Sequence, residues 1–151
     1  MKKSKFRDWL LGKDTMRVNL DSWIKKKLAE IESGKSILDA GAGNLRWKTF
    51  CSHLKYTSQD FAQYDAKSCS IGLQSEDWTY PSIDIVSDIT DIPVPDESFD
   101  FVLCTEVFEH LPNPNAALKE LVRVTKRGGT FIDSSVLQSD PYGTVSFLHR
   151  L

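Results

Sequence analysis

The chain is short of cysteine, of histidine and of long apolar runs, and each shortage removes a class of protein. Cys51, Cys69 and Cys104 are an odd set with no Cys-x-x-Cys spacing. They suggest neither a disulfide framework nor a zinc site, and a reducing cytoplasm suits them. No apolar run approaches the roughly 20 residues of a membrane span, so no membrane association is expected. The stretch Met1–Leu11 is basic but has no apolar core region or small-residue cleavage site, so no signal peptide is expected. A Walker loop and a Gly-x-Ser-x-Gly elbow are both missing. No repeat or low-complexity tract interrupts the chain.

What remains is an ordinary globular composition. The 151 residues are 40% hydrophobic and 26% charged, enough for one domain with a real core. The charge is uneven. Residues 1–27 hold nine of the 19 Lys and Arg against Asp8, Asp14 and Asp21, which leaves the rest of the chain acidic. A basic arm on an acidic body could touch nucleic acid, but no aromatic–basic recognition motif accompanies it. The preferred reading is a solvated tail, with nucleic acid disfavoured as a partner.

Strand-like and helix-like patterns alternate along the chain. A short helix is expected around Phe6–Leu11. Leu20, Ile24, Leu28 and Ile31 recur at helical spacing, with Asp21 as an expected N-cap and Gly34 as an expected stop. Residues 1–34 thus read as a basic segment with a leading helix, and 35–151 as the core. Within the core, strands are expected at Ser36–Asp39, Tyr56–Asp60, Ile83–Ser87, Phe99–Cys104 and Thr130–Asp133. Trp47, Phe50, Cys51 and Leu54 fit one face of a helix, with Trp47 as core rather than ligand contact. Residues 61–80 are irregular. Asn113 and Pro114 can open a second helix carrying Ala117, Leu118, Leu121, Val122 and Thr125 on its apolar face. Lys126–Arg127 would form its last turn and Gly128–Gly129 would end it. Such alternation argues for an α/β fold, doubly wound and Rossmann-like, with a mostly parallel sheet and helices on both faces.

One loop is the natural ligand site. Ser36-Ile-Leu-Asp39-Ala40-Gly41-Ala-Gly43 is a strand running into a glycine turn, and Asp60 and Asp88 end the next two strands. Glu106 follows the fourth. In a parallel sheet these acids gather at one edge, where open α/β sheets bind ligands. Asp60 lies at the spacing from Asp39 at which an acid commonly takes ribose hydroxyls. The third glycine of the dinucleotide fingerprint is Leu45 here, and Asp39 would repel phosphate. Both features disfavour a nicotinamide oxidoreductase. A phosphate-free ligand with a positive charge and a ribose suits the acids better, and S-adenosylmethionine is such a ligand.

These residues also carry a family resemblance. Ile37-Leu-Asp39-Ala-Gly41-Ala-Gly43 resembles the first motif of the class I S-adenosylmethionine-dependent methyltransferases. The segment Asp96–Leu111 and the helix-to-Gly-Gly segment Ala117–Gly129 resemble the type 11 methyltransferase domain group, with Arg127 where that group usually has Pro. The resemblance implies an enzyme that transfers a methyl group from S-adenosylmethionine to an acceptor, expected to be a small molecule. It implies that Asp39, Ala40, Gly41 and Gly43 surround the methionine end of the cofactor, with Asp39 taking its ammonium. Asp60 and Phe61 would then lie at the ribose, Asp88 and Ile89 at the adenine, and Thr105 and Glu106 beside the methyl donor. His110 is the expected candidate for a general base, should the acceptor have to lose a proton. Glu106-x-x-Glu109-His110 resembles the inverse zinc-protease motif, but its first His is Glu here, and no metal is expected.

The full class I fold carries two more strands after the fifth. Residues 134–151 are expected to form only a loop and a short helix, leaving the fifth strand as a bare edge. That suggests either a shortened chain or a homodimer that covers the edge. The alternative function is therefore a non-catalytic or truncated module that binds S-adenosylmethionine or a partner.

Overall fold

The computed structural model describes residues 13–62, 81–136 and 144–150. The expected helix Phe6–Leu11 and most of the irregular 61–80 segment lie outside them. In chain order the elements are α1 (Lys13–Ala29), β1 (Ser36–Ala40), β2 (Lys55–Asp60), β3 (Ile85–Val86), β4 (Phe99–Thr105), α2 (Pro114–Val124), β5 (Thr125–Val136) and β6 (Thr144–Arg150). Two 3₁₀ turns, Lys48–Cys51 and Phe108–His110, complete them. The strands form one sheet in the order β3-β2-β1-β4-β5-β6, parallel except for β6.

Side chains alternate across each strand, so each strand feeds two cores. Ile37, Leu103 and Ile132 pack on one face against Leu20, Ile24 and Leu28 of α1 and against Trp47 and Cys51. Leu38, Val102 and Phe131 pack on the other face against Ala117, Leu121 and Val124 of α2. This is the expected doubly wound arrangement. Near-continuous apolar strands such as β4 follow from burial on both faces.

Several local expectations are corrected. Asp21 is not an N-cap: α1 begins at Lys13, and Asp21 sits inside it, ion-paired to Arg46. Gly34 is left-handed, but it lies in the turn before β1 rather than directly after α1. After the glycine loop there is only one 3₁₀ turn, and Phe50 is exposed. The left-handed residues Gly43 and Leu45 prolong the loop, so too little chain remains before β2 for a helix. β3 is two residues long because Asp84 does not pair through its backbone ladder. Its carboxylate instead accepts from the Ser58 N–H and hydroxyl, at 2.9 and 2.7 Å.

α2 ends at Val124, not at Gly128, and Leu118 and Val122 are exposed while Val124 is buried. Thr125 is already extended and pairs with Phe99. Lys126 is drawn to Asp100 at 3.1 Å, and residues 126–129 bulge out of the β4–β5 ladder before Thr130 pairs with Phe101. The end of the chain also differs from expectation. Residues 144–150 are a strand, not a helix, and pair antiparallel with β5 from Val136–Thr144 to Thr130–Arg150. The β5 edge is therefore covered from within the chain, and the expected homodimer has no bare edge there to cover.

Candidate functional site

The order of the sheet places β1 beside β4, with Ala40 level with Cys104. The loops that leave these two strands face each other at the carboxyl edge, where the chain reverses its winding direction. Gly41 has φ 73° and Gly43 has φ 52°. A side chain on Gly41 would overlap Val107, so the loop after β1 lies tight against the loop after β4. At Gly43 a side chain would meet nothing within 4 Å, so this part of the backbone faces open space.

The loop is pinned from the β2 side. The carbonyl of Gln59 accepts from the Gly41 and Ala42 N–H groups, both at 2.9 Å. The Gln59 side chain also accepts from Gly41 N–H at 3.3 Å and donates to the Ser87 carbonyl at 2.7 Å. Asp60 accepts from Gly43 N–H at 2.8 Å and from Ala62 N–H at 2.9 Å. Gln59 was not picked out from sequence. The available signal is the polar run Thr57-Ser58-Gln59 in a strand flanked on both sides, where each buried polar group requires a partner.

The expected acids divide into three environments. Asp39 is only 1% exposed and accepts from the Tyr56 hydroxyl at 2.6 Å. Burial pushes its pKa up to about 7, against the lowering effect of Tyr56, and the nearby Asp60 charge adds to the rise. The same surroundings push the Cys51 thiol up to about 12. Asp60 is half-buried at the loop, as described. Asp88 is exposed and accepts from the Thr90 N–H and hydroxyl, each at 2.8 Å, which holds it below the usual carboxylate range. Beside it, Ile89 is buried.

The β4 side supplies the remaining expected residues. Thr105 ends β4 and accepts from the Trp47 indole N–H at 3.0 Å. Glu106 is left-handed, with φ 55°, and its N–H donates to the Ser134 carbonyl at 2.8 Å. Arg46 lies 3.6 Å from the Glu106 carboxylate. Ala40 is buried, and Phe61 is 53% exposed next to Asp60. His110 is exposed at the end of the second 3₁₀ turn, its N–H donating to the Val107 carbonyl. Among the described residues, no three His, Cys, Asp or Glu side chains gather to hold a metal.

Two hollows among the described residues lie away from this edge. One of about 240 Å³, lined by Ile31, Lys35 and Phe101, lies at the opposite, amino-terminal edge, as does one of about 530 Å³ lined by Glu97, Arg123 and Lys126. Sheet topology is what locates the site.

The strand order, the glycine loop at the reversal point and the acid-ended strands are those of a class I methyltransferase fold. The methyltransferase domain profile Methyltransf_11 matches residues 38–133, and the chain belongs to this family, whose cofactor is S-adenosylmethionine. An uncharacterized methyltransferase of Mycobacteroides abscessus is 26% identical, over 88% of this chain and 51% of its own length. Ajmaline N-methyltransferase of Rauvolfia serpentina is 40% identical over 36% of this chain and 19% of its own. The crystal structure of an S-adenosylmethionine-dependent methyltransferase from Aquifex aeolicus superposes with a TM-score of 0.57 at 20% identity, over 79% of this chain and 65% of that one. The chain thus spans about half the length of the mycobacterial relative. No helix among the described residues is long and apolar enough to cross a membrane.

The residues present fit the cofactor. Open backbone at Gly43 leaves room for a ligand against the loop. Carboxylates at the ends of β2 and β3, and Glu106 after β4, suit a sulfonium, an ammonium and ribose hydroxyls. Asp60 uses one lone pair of each oxygen on the loop, and each oxygen retains acceptor capacity.

Proposed function

We propose that this chain binds S-adenosylmethionine at the carboxyl edge of β1, β2 and β4, and that it serves methyl transfer to a small-molecule acceptor. The observation that carries this is the open Gly43 backbone beside the Asp60 carboxylate, within a chain of the methyltransferase family. Bound there, the cofactor supplies an activated methyl group on a good leaving group.

The chain's own residues hold and orient. Gly41 and Gly43 let the backbone approach the methionine end, and Asp60 takes the ribose hydroxyls. Asp88 and Ile89 take the adenine, and Phe61 flanks the ribose. Asp39 lies beneath the loop, buried and bonded to the Tyr56 hydroxyl, and supports the loop from below. Thr105 and Glu106 border the methyl donor. Orientation can supply much of the rate in such a displacement, where well-aligned groups gain up to ~7–11 kcal/mol. His110 takes a proton only where the acceptor must lose one.

The small-molecule acceptor is supported by the named activity of the Rauvolfia relative. A cytoplasmic setting goes with Cys51 and Cys104, which are free and buried. A second reading is a module that binds cofactor without turnover; the chain spans about half the length of the mycobacterial relative. Calorimetry with S-adenosylmethionine and S-adenosylhomocysteine, followed by a methylation assay over an acceptor panel, separates the two. Micromolar binding with turnover supports the enzyme, and binding without turnover supports the module. No binding at millimolar ligand overturns both.

A further inference from the structure

Three consecutive contacts join the two loops that face each other at the edge. Gly41 lies against Val107, Arg46 faces Glu106, and Trp47 bonds Thr105. The sequence of one loop therefore runs against the sequence of the other in order. Arg46 does more than touch Glu106. It is also ion-paired to Asp21 of α1, and its guanidinium stacks over the Trp47 ring at 4.7 Å. Trp47 is itself buried in the core beneath, at 3% exposure. Arg46 is thus held by α1 and by an indole plane before it reaches Glu106.

Glu106 has a backbone that a residue with a Cβ rarely adopts, and such a conformation persists only where its surroundings fix it. On one side its N–H is fixed to Ser134 of β5. On the other side its carboxylate is ion-paired with Arg46 at 3.6 Å. From this we infer that Arg46 and Trp47 are positioning residues, which set Thr105 and Glu106 at the wall of the site and make the loops after β1 and β4 one unit. The inference rests on the proposed cofactor site, because it takes Glu106 to border the methyl donor. Arg46 acts through Glu106 and touches no reacting atom. A planar fork held by stacking suits that task better than a lysine would.

The test uses the full chain and two readouts. Amide hydrogen exchange by NMR is independent of ligand, and calorimetry with S-adenosylhomocysteine reports the site. Arg46→Met is expected to speed exchange at the Glu106 amide by about tenfold and to weaken S-adenosylhomocysteine by about tenfold, while the Leu38 and Val102 amides keep their rates. Arg46→Lys recovers part of both losses. In a Glu106→Gln background, Arg46→Met adds little to the loss of affinity, because the partner is already gone. Trp47→Phe, which keeps an aromatic ring but removes the indole donor, speeds exchange at Thr105 and stands in if Arg46→Met fails to fold. Unchanged Glu106 exchange in Arg46→Met overturns the inference whether or not ligand binds. So do affinity losses that simply add, or an equal loss of protection at Leu38 and Val102. A wild-type chain that binds no S-adenosylhomocysteine instead overturns the cofactor reading, and Glu106 exchange still decides the link between the loops.

Discussion

The two edges of the sheet are built from the same kinds of residue but held in opposite ways. At the amino-terminal edge, polar groups close on one another. Asp100 accepts from the Ser36 N–H at 2.9 Å and hydroxyl at 2.6 Å, and the Asp100 N–H donates back to Ser36 Oγ at 2.9 Å. Arg123 spans Glu120, Asp96 and the carbonyls of Ile92 and Val94. At the carboxyl edge, three non-glycine residues, Leu45, Ala62 and Glu106, are left-handed beside Gly41 and Gly43, against Glu97 at the amino-terminal edge. Each such non-glycine residue costs roughly 1–2 kcal/mol. One edge therefore mainly fastens the strands, while the other concentrates costly backbone shapes so that N–H groups and carboxylates meet at one place. Strain of this kind is where a ligand site is to be sought.

The largest expected effect would break the carboxyl edge. Gly41→Val puts a branched side chain into a left-handed position against Val107. We expect a loss of roughly 2–5 kcal/mol of stability from strain and overpacking, and a loss of S-adenosylhomocysteine binding. Urea denaturation and calorimetry measure the two. Full affinity in this variant would mean that the close approach of the loops is not part of the site.

The amino-terminal edge gives the next effect and the contrast. Asp100→Ala strands the Ser36 N–H and hydroxyl and frees Lys126. Burial alone would raise the Asp100 pKa, but the Ser36 bonds and Lys126 outweigh it and hold Asp100 below the usual carboxylate range. The variant should lose about 2–3 kcal/mol in urea denaturation and keep its ligand affinity within about twofold where it remains folded. A loss of affinity larger than the loss of stability would erase the distinction between the edges.

How much of this was legible in the sequence follows the same division. Strand positions, the glycine loop and the run of acids rest on period-two apolarity and turn chemistry, both local properties, and they were readable. The class of ligand was readable too, since a missing third glycine and an acid before the loop are local. What failed was decided by distant partners. Lys126 reads as a helix end until Asp100 draws it into β5. Asp21 reads as a cap until Arg46 reaches it inside α1. Asp84 reads as strand until its side chain takes over pairing with Ser58. The tail 144–150 reads as a loop with a short helix until β5 supplies a ladder. Gln59 and Tyr56 were passed over because nothing local shows that one clamps the loop and the other bonds Asp39.

An effect confined to one range of pH sharpens the comparison last. Asp39 and Asp100 are both carboxylates on adjacent strands, and their surroundings move them in opposite directions. Asp39 is raised to about 7, so the folded chain holds this proton more tightly than the unfolded chain does. Its contribution is fully present below the unfolded value near 4 and is lost as pH rises through about 7. Asp39→Asn keeps a neutral acceptor for the Tyr56 hydroxyl and cannot ionise. The variant should match the wild type in stability near pH 4 and exceed it by up to roughly 4 kcal/mol at pH 8, since the rise from near 4 to about 7 spans about three pH units at about 1.4 kcal/mol each. Denaturation curves at several pH values, read as the difference between the two chains, isolate this group from the others. Asp100 runs the other way, its contribution present at neutral pH and lost as the solution becomes more acidic than pH 4. A difference between wild type and Asp39→Asn that stays flat from pH 4 to 8 would mean that Asp39 ionises freely, and that the carboxyl edge does not hold a buried neutral acid beneath its loop.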